Sequence, residues 1–381
     1  MRILHLIYTH GVAGAEKYLK HLLPGLSQYG IKCDLIVVCP PKMADVLKVY
    51  VREVEQLGIR TTLIVATKTS VIATAWKINK YLRTNGINIV HSHLFNSDII
   101  AALLKSLFFR DLYIISTKHG YLEDFFQKYE PGKKIRPGGL YYWITKYTFR
   151  KINVNIATSR AIADLYYDIG LADEPYAYIH HGVKIEDFNK DEYRKECRRA
   201  NLQLISVGRL ELIKGHRYLI DAMATVAEVF PDIKLLIIGA GIEKENCIKQ
   251  VEALGLQNNV EFLGFKPHPY SYIAHSDIVV QTSIFESFGL VFIEAFALQK
   301  PVVAFNTPAG NEIMENGQTA LLVEKGDSKA LAEKIIYLLK NPDERERIIK
   351  NAYEKYLKEF TTEVMVKRMA DWYHRLPQQQ Q

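Results

Sequence analysis

Residues 278–306, IVVQTSIFESFGLVFIEAFALQKPVVAFN, constrain the fold of this chain more than any other stretch. The stretch opens on the apolar run 278–280, which ends in polar residues as a buried parallel strand does. The pattern then predicts a loop, a helix over 289–298 and a second short strand over 302–305. Strand, loop, helix and strand in this order form the building unit of a doubly wound α/β sheet.

The start of this helix predicts a binding site for phosphate. The first amides of a helix have no intrahelical partner, and Gly289 leaves them open to a close approach. Glu286 precedes the helix, and Glu294 lies roughly 7–8 Å along its axis at about 1.5 Å per residue. One carboxylate suits ribose hydroxyls and the other suits sugar hydroxyls. From the spacing alone, a capped helix with two surface carboxylates fits equally well.

Residues 285–295, FESFGLVFIEA, resemble the Glu-x7-Glu motif of the retaining GT-B glycosyltransferases of family 4, also called glycosyl transferases group 1. The segment 299–323 continues the resemblance without a gap, although Gln299 and Ala320 stand where the family usually has glycine or another small residue. Many members of this family are bacterial lipid and polysaccharide glycosyltransferases. The resemblance favours the nucleotide-sugar interpretation of the helix start.

The resemblance also implies roles for individual residues. Glu286 would hold the donor sugar and Glu294 the ribose of the donor nucleotide. Ser287 and the amides at Gly289 and Leu290 would contribute to donor binding. The family implies attack from the front face of the sugar, with a donor phosphate oxygen accepting the proton and no metal involved.

The segment VGRLELIKG (207–215) follows another predicted strand. Arg209 and Lys214 come from this one loop, so both cations can converge on a diphosphate. The segment resembles the Arg/Lys pair with which the family neutralises the leaving nucleoside diphosphate. Two ordinary surface cations remain the alternative.

At the N-terminus, a strand over 3–8, a glycine-bearing loop, a helix over 16–29 and a strand over 34–39 predict a right-handed βαβ unit. The loop resembles the family's glycine loop that faces the cleft between the domains, which makes Gly14 a candidate donor contact. Its glycine spacing is not GxGxxG, and an ordinary turn fits as well.

Two further predicted strands end in histidines. We interpret side-chain alternation as placing His91 and His93 on opposite faces, so that only one faces the cleft. The resemblance places the second histidine of this H-x-H near the donor sugar, which favours His93 as a catalytic residue and leaves His119 as a candidate for the acceptor site. For each histidine alone, a structural role is the alternative. Without an HExxH motif or a carboxylate cage, we expect no metal.

The composition is that of a globular, cytoplasmic protein. No apolar run reaches the ~20 residues that a membrane helix needs, and the first residues read as a strand rather than a signal peptide. The four cysteines form no CxxC pair and suggest reduced thiols. Residues 1–185 hold 24 Lys and Arg against 14 Asp and Glu, which suggests an acidic partner such as a membrane surface, a phosphorylated acceptor or nucleic acid.

The basic-aromatic region 127–151 concentrates that charge, with seven Lys or Arg and six aromatic residues. Such interleaving suits an interfacial helix on an anionic membrane, and it would also suit single-stranded nucleic acid. A solvated loop followed by an ordinary helix is the remaining alternative. We place a candidate acceptor site here at Lys133, Lys134 and Arg136, with peripheral association at the inner face of the membrane.

These observations predict the GT-B fold, two doubly wound Rossmann-like α/β domains facing a cleft. We expect an acceptor-binding domain over 1–183, joined by a crossover helix at 361–376, a nucleotide-sugar-binding domain over 184–360, and a disordered tail at 377–381. The predicted reaction moves a sugar from a UDP-sugar or GDP-sugar to a hydroxyl of a lipid-linked or polysaccharide acceptor, with no cofactor beyond the nucleotide-sugar substrate.

Two other functions share some of this evidence. A GT-B epimerase or phosphorylase would have the same fold and the same nucleotide site. A basic nucleic-acid-binding protein would explain the charge of the first half, but it explains neither the glutamates nor the Arg/Lys pair. We therefore expect no nucleic-acid partner.

Overall fold

The computed structural model describes residues 1–67, 70–120, 140–185, 200–266 and 269–376. The chain divides into two compact units, which we call the first domain (Met1–Gly182 with Thr362–Gln381) and the second domain (Val183–Thr361). Lys133, Lys134 and Arg136 and the tail 377–381 lie outside the described residues.

In the first domain, the described residues form a parallel sheet of seven strands in the order β3-β2-β1-β4-β5-β6-β7. Strand β1 is buried throughout after Arg2, as expected for a strand that helices cover on both faces. The strands are β1 (Arg2–Tyr8), β2 (Lys32–Cys39), β3 (Arg60–Val65), β4 (Ile89–His93), β5 (Tyr113–Lys118), β6 (Val154–Ala157) and β7 (Ala177–Tyr178).

Helices cover both faces of this sheet. Ile3 joins one apolar cluster with Leu19 and Met365, whereas its neighbour Leu4 joins another with Ile100, because side chains alternate along a strand. The helices are α1 (Gly14–Leu26), α2 (Ala44–Gln56), α3 (Val71–Thr84), α4 (Phe95–Leu107), α5 (Leu140–Lys151), α6 (Arg160–Asp168) and, from the end of the chain, α14 (Thr362–His374).

Helix α14 packs closely against α1 at Gly25. A Cβ on Gly25 would lie 2.7 Å from Cγ2 of Val366, so a larger residue would push the two helices apart. Tyr373, the penultimate residue of α14, is fully buried. The last described helix of the chain is therefore part of the core of the first domain.

The described residues of the second domain form a parallel sheet of six strands in the order β10-β9-β8-β11-β12-β13. The strand order reverses between β8 and β11, and ligands of doubly wound sheets bind beyond the carboxyl ends of the strands at such a point. The strands are β8 (Gln203–Val207), β9 (Lys234–Ile238), β10 (Val260–Gly264), β11 (Ile278–Gln281), β12 (Val302–Phe305) and β13 (Leu321–Val323).

Apolar clusters also cover both faces of the second sheet. Val279 packs in one cluster with Phe292, and its neighbour Val280 packs in the other with Leu219. The helices are α7 (His216–Val229), α8 (Lys244–Ala253), α9 (Tyr270–Ala274), α10 (Leu290–Ala297), α11 (Pro308–Ile313), α12 (Ser328–Lys340) and α13 (Pro342–Glu359). Within the described residues, none of the helices combines the length and the apolar character that a membrane crossing requires.

Candidate active site

In the second domain, the loops that follow β8 and β11 are held together by their backbones. The amide of Ile284 donates to the carbonyl of Ile213 at 2.8 Å, and the hydroxyl of Thr282 donates to the carbonyl of Lys214 at 3.3 Å. A Cβ on Gly215 would lie 2.1 Å from the carbonyl oxygen of Thr282, so this contact requires glycine. The two predicted donor-binding segments therefore meet at the point where the strand order reverses.

This contact brings Lys214 and Glu286 together. The ammonium of Lys214 donates a hydrogen bond to Oε1 of Glu286 across 2.8 Å, and the two side chains are 19% and 12% exposed. Partial burial reduces the screening of their attraction by water and salt. The sequence predicted a role for each residue but not that they pair, because they lie on different loops. An entering phosphate would have to compete with Glu286 for Lys214.

Arg209 has a different carboxylate partner. Its guanidinium lies 2.8 Å from Oε1 of Glu211, and its side chain is 57% exposed. Each predicted cation of the loop thus faces a carboxylate. The convergence of Arg209 and Lys214 on one diphosphate stays a prediction.

Helix α10 begins at the predicted position. Gly289 precedes its first residue with φ 102° and ψ 58°, and no side chain caps the helix. A Cβ on Gly289 would lie 2.4 Å from the ring of Phe292, so glycine is required both by φ and by space. Ser287 and Leu290 are half-buried at this helix start, whereas Glu294 is buried at 6% exposure. Their assigned donor contacts stay predictions.

His216, the first residue of α7, was not identified from the sequence. It is 3% exposed, and neither ring nitrogen has a hydrogen-bond partner. Burial, with a smaller contribution from the nearby Lys214, lowers the pKa of His216 from 6.5 to about 4. The hydroxyl of Ser283 is likewise buried without a partner. The sequence offers no signal for either, because histidine and serine are ordinary residues at a helix start and a strand end.

In the first domain, the two histidines of β4 lie on the same face of the sheet. The rings of His91 and His93 stack with centroids 4.4 Å apart and 21° between their planes. Residues two positions apart in a strand share a face, because side chains alternate with a period of two. The prediction that these histidines point to opposite faces is therefore wrong, and it cannot distinguish between them.

His93 connects two other histidines. Its Nε2 lies 3.0 Å from Nδ1 of His5, and its Nδ1 lies 3.0 Å from Nε2 of His119. The register places His5 beside His91 on the neighbouring strand, a pairing that the sequence did not predict. Tyr18 of α1 packs its ring against His93 and His119.

His91 is held by hydroxyl groups instead. Its Nδ1 is hydrogen-bonded to the hydroxyl of Tyr373 on α14, and its Nε2 lies 2.6 Å from the hydroxyl of Thr117. His91 is fully buried, so these contacts replace the water that its ring nitrogens would otherwise bind. Tyr373 thereby links the end of the chain to the strand-end histidines.

The buried histidines of the first domain are electrically neutral at pH 7. Burial lowers the pKa of His5 and of His119 from 6.5 to about 3. Burial also lowers the pKa of His91, His93 and His181 well below the usual range, and neighbouring histidines add to the effect. A neutral imidazole can donate one hydrogen bond and accept another, which is what this arrangement uses.

Ring nitrogens of His5, His91 and His93 all lie within 4.8 Å of one another, the one group of this kind in the described part of the chain. Imidazole nitrogens suit transition metals. However, both nitrogens of His91 and both of His93 already have hydrogen-bond partners. The hydrogen bonds account for this geometry without a metal.

The glycine loop after β1 leads into α1, whose first residue is Gly14. Glu16, which was not predicted as a site residue, accepts a hydrogen bond from the amide of Ala13 at 2.7 Å. It is 1% exposed, and burial raises the pKa of its carboxyl group. Glu16 therefore fixes the loop, while the predicted donor contact at Gly14 stays a prediction.

The opposite face of the first sheet holds a buried ion pair. The ammonium of Lys118 lies 2.6 Å from Oδ2 of Asp98, with exposures of 4% and 1%. The hydroxyls of Ser92 and Ser116 donate to Oδ1 of Asp98 at 2.5 and 2.7 Å, and the ring of Phe149 lies 4.1 Å from the ammonium. Burial lowers the pKa of Lys118, although Asp98 opposes the shift.

Helix α5 is the described part of the basic-aromatic region. Trp143, Ile144 and Tyr147 are 57%, 37% and 45% exposed. The ammonium groups of Lys146 and Lys151 lie near the rings of Trp143 and Tyr147, at 5.8 and 5.5 Å from the ring centroids. Exposed aromatic side chains and half-buried lysines thus lie together on this helix.

Comparison with known families matches both domains. A family described as glycosyl transferases group 1 matches residues 189–355, and glycosyltransferase family 4 matches residues 12–187. Together the two matches span nearly the whole described chain.

Individual relatives agree with this result. The chain is 26% identical to the D-inositol 3-phosphate glycosyltransferase of Corynebacterium urealyticum, over 97% of this chain and 92% of that protein. It is 32% identical to the capsular polysaccharide biosynthesis glycosyltransferase CapM of Staphylococcus aureus, over 51% of this chain and 52% of that protein. The crystal structure of Anabaena HepE in complex with UDP-glucose has a TM-score of 0.80 at 21% identity, covering 99% of this chain and 100% of that one.

Proposed function

Because this chain belongs to the family-4 glycosyltransferases with the GT-B fold, we propose that it is a retaining enzyme of bacterial-type glycan biosynthesis. It transfers a sugar from a nucleoside diphosphate sugar to a hydroxyl of a lipid-linked or polysaccharide acceptor. The name of CapM supports a polysaccharide product, and the UDP-glucose complex of HepE supports a nucleotide-sugar donor.

The contact between Lys214 and Glu286 carries the proposal. The 2.8 Å pair lies where β8 and β11 meet, with the uncapped start of α10 on the same loop as Glu286. Departure of a nucleoside diphosphate develops negative charge, which a cation and oriented amides stabilise. On binding, the diphosphate takes Lys214 away from Glu286, and the freed carboxylate accepts hydrogen bonds from the donor sugar.

The remaining donor contacts follow from the family resemblance. Glu294 holds the ribose, the amides at Gly289 and Leu290 with Ser287 hold the diphosphate, and Arg209 adds a second cation. In the first domain, His93 lies near the donor sugar and His119 belongs to the acceptor site. Gly14 contacts the donor from its loop. The mechanism uses neither a metal nor a cofactor.

A screen of nucleotide sugars tests the donor. A ligand that binds only the folded state raises its stability by RT ln(1 + [L]/Kd), so the true donor should raise Tm in proportion to its affinity. Transfer to an added acceptor, with the anomeric configuration of the product read by NMR, then tests retention. Turnover of the nucleotide sugar without an acceptor would favour an epimerase, and phosphate-dependent cleavage would favour a phosphorylase.

We also propose that the first domain docks on an anionic membrane through the basic-aromatic region. The cations of helix α5 and of the preceding segment each contribute at most about 1 kcal/mol near such a surface, and salt screens them over about 8–10 Å. Replacing Lys133, Lys134 and Arg136 with Glu should abolish sedimentation with anionic liposomes at low salt while sparing donor hydrolysis. A wild-type protein that stays in the supernatant would refute the docking.

A further inference from the structure

His119 lies beyond the part of β5 that its neighbour β4 holds. The register of the two strands ends at the pair of His93 and Thr117, and the described residues form no further rung of this ladder. The carbonyl of Lys118 accepts from the amide of Thr158 at 3.3 Å, which ties β5 to the other side and not to β4. Yet Nδ1 of His93 and Nε2 of His119 lie 3.0 Å apart, a hydrogen-bond distance that tolerates little displacement of either ring. A contact other than the ladder therefore has to fix His119 relative to His93.

Asp98 of α4 supplies such a contact from the opposite face of the sheet. Its Oδ1 accepts a hydrogen bond from the hydroxyl of Ser92 at 2.5 Å, and its Oδ2 lies 2.6 Å from the ammonium of Lys118. Ser92 directly precedes His93, and Lys118 directly precedes His119. One carboxylate, on a residue that is 1% exposed, thus joins the two positions next to the rings.

The start of α4 holds Asp98 in place. The amides of Ser97 and Asp98 donate to the carbonyl of Leu94 at 3.1 and 3.2 Å, and the hydroxyl of Ser97 accepts from the amide of Tyr8 at 2.6 Å. Leu94, directly after His93, has φ 70° and ψ 152°, a conformation that is unfavourable for leucine. Such a conformation persists only where the surroundings hold it firmly. The carboxylate of Asp98 is therefore presented from a firmly held turn.

We propose that Asp98 is a positioning residue, which holds His93 and His119 in contact with each other through Ser92 and Lys118. Lys118 is the essential link, because it lies beyond the last rung between β4 and β5. A buried ion pair contributes little net stability compared with apolar residues of similar volume, so its effect here lies in the geometry that it imposes. What the two rings do to a substrate rests on the proposed function, whereas their mutual position does not.

The hydrogen bond between the two rings can be observed without any substrate. In protein labelled with 15N-histidine, the wild type should show a 15N–15N coupling between His93 and His119. It should show another between His93 and His5, whose nitrogens also lie 3.0 Å apart. The double variant Asp98→Leu with Lys118→Met should lose the first coupling and keep the second, because the ladder of β1 and β4 extends to His93. A double variant that keeps both couplings or loses both, or a wild type without the first, would overturn the proposal.

A second ion pair of the same sheet provides the matched control. Arg2 and Asp34 lie 2.7 Å apart at the amino ends of β1 and β2, so Arg2→Met with Asp34→Leu should keep both couplings. Loss of the first coupling in this control would mean general loosening of the domain and would also overturn the proposal. If the Asp98→Leu double variant does not fold, Asp98→Asn with Lys118→Met keeps a side chain of nearly equal size and cuts the link to Lys118. The same loss is expected.

Sugar transfer then connects the geometry with the reaction. For the folded Asp98→Leu and Lys118→Met variant, we expect kcat to fall at least about fivefold while KM for the nucleotide sugar stays within about twofold. The reason is that the proposed nucleotide contacts lie in the second domain. Wild-type kcat in a variant that has lost the coupling would refute the positioning role. If the wild-type protein transfers no sugar from any nucleotide sugar, the proposed function fails, while the spectra still decide whether Asp98 holds the two rings together.

Discussion

The strand-end histidines of the first domain and the ion pair of the second domain place polar groups at equivalent edges of two similar sheets. The histidines are neutral, and His5, His91 and His93 are fully buried. Lys214 and Glu286 carry opposite charges and keep 19% and 12% of their exposure.

The ordinary pKa values of the side chains explain the difference. Imidazole titrates near 6.5, so it can lose its proton at neutral pH and be buried without a counter-charge. Lysine and glutamate titrate far from neutrality, so burial would cost much more and they stay paired near the surface. The first region therefore consists of neutral, fully buried rings, whereas the second keeps a charged pair that is still partly exposed.

The two regions should differ most strongly in how their stability responds to mild acid. A histidine with a lowered folded-state pKa stays neutral in the folded protein, while the unfolded chain takes up a proton below pH 6.5. Stability therefore falls as pH drops through 6.5, and it keeps falling toward pH 3, where His5 and His119 titrate in the folded state. Each such histidine costs at most about 1.4 kcal/mol per pH unit.

The described first domain has five histidines with lowered pKa, against His216 in the described second domain. Hydrogen exchange resolved by peptide should therefore show β1 and β4 losing protection between pH 7 and 5, before β8 and β11 do. Equal loss in both sheets would contradict the assignment of neutral rings.

Breaking the Asp98–Lys118 pair should show how much an unpaired buried charge lowers the free energy of unfolding of the first domain. Lys118→Met removes the cation and leaves the Asp98 carboxylate buried, which should destabilise the protein by about 3–5 kcal/mol. Urea denaturation followed by circular dichroism measures the change. The double variant with Asp98→Leu removes both charges and should recover much of the loss. A double variant as unstable as the single one would show that packing, not charge, is decisive.

Removing the cation of the ion pair in the second domain should lower activity rather than stability. Lys214→Ala should lower transfer at least about tenfold, roughly 1.4 kcal/mol or more of transition-state stabilisation. Its Tm should change little, because the pair is partly exposed. Lys334→Ala, an exposed lysine of α12, is the matched control and should transfer normally. Near-normal turnover of folded Lys214→Ala would remove Lys214 from the mechanism.

Substitutions of the two glutamates of the motif should have smaller effects, and the two should affect different steps. Glu294→Gln keeps the size of the side chain but weakens its hydrogen bonds to ribose hydroxyls, so binding of the free nucleoside diphosphate should weaken severalfold. Glu286→Gln should leave that binding nearly intact and depress turnover, because its partner is the donor sugar. Calorimetry with the nucleotide alone compares them, and equal losses would contradict the assignment.

The elements of the fold were largely readable from the sequence. The buried strands are continuous apolar runs, so β12 was predicted at its observed bounds and β1 within one residue. Gln299, noted as a departure from glycine, lies just after α10 at φ 55°, a conformation that favours glycine at helix ends. That conformation explains why glycine would suit this position.

The contacts that build the sites were not readable, because they join residues far apart in the chain. Lys214 and Glu286 were each identified but not as a pair, and Tyr373 gave no sign that it would meet His91. His5 was not identified from the sequence, although the strand register sets it beside His91. Alternation was applied wrongly to His91 and His93. Local patterns report on local structure, whereas pairing depends on the order of strands.

The packing of α14 in the first domain has a consequence for how the protein is made. Domains fold as units while the chain leaves the ribosome, with N-terminal parts emerging first. Here the first domain begins the chain, yet its core stays incomplete until Thr362–His374 has been synthesised, after the whole of the second domain. Until Tyr373 emerges, His91 lacks one of its hydrogen-bond partners. The domain that is translated first is therefore the one that is finished last.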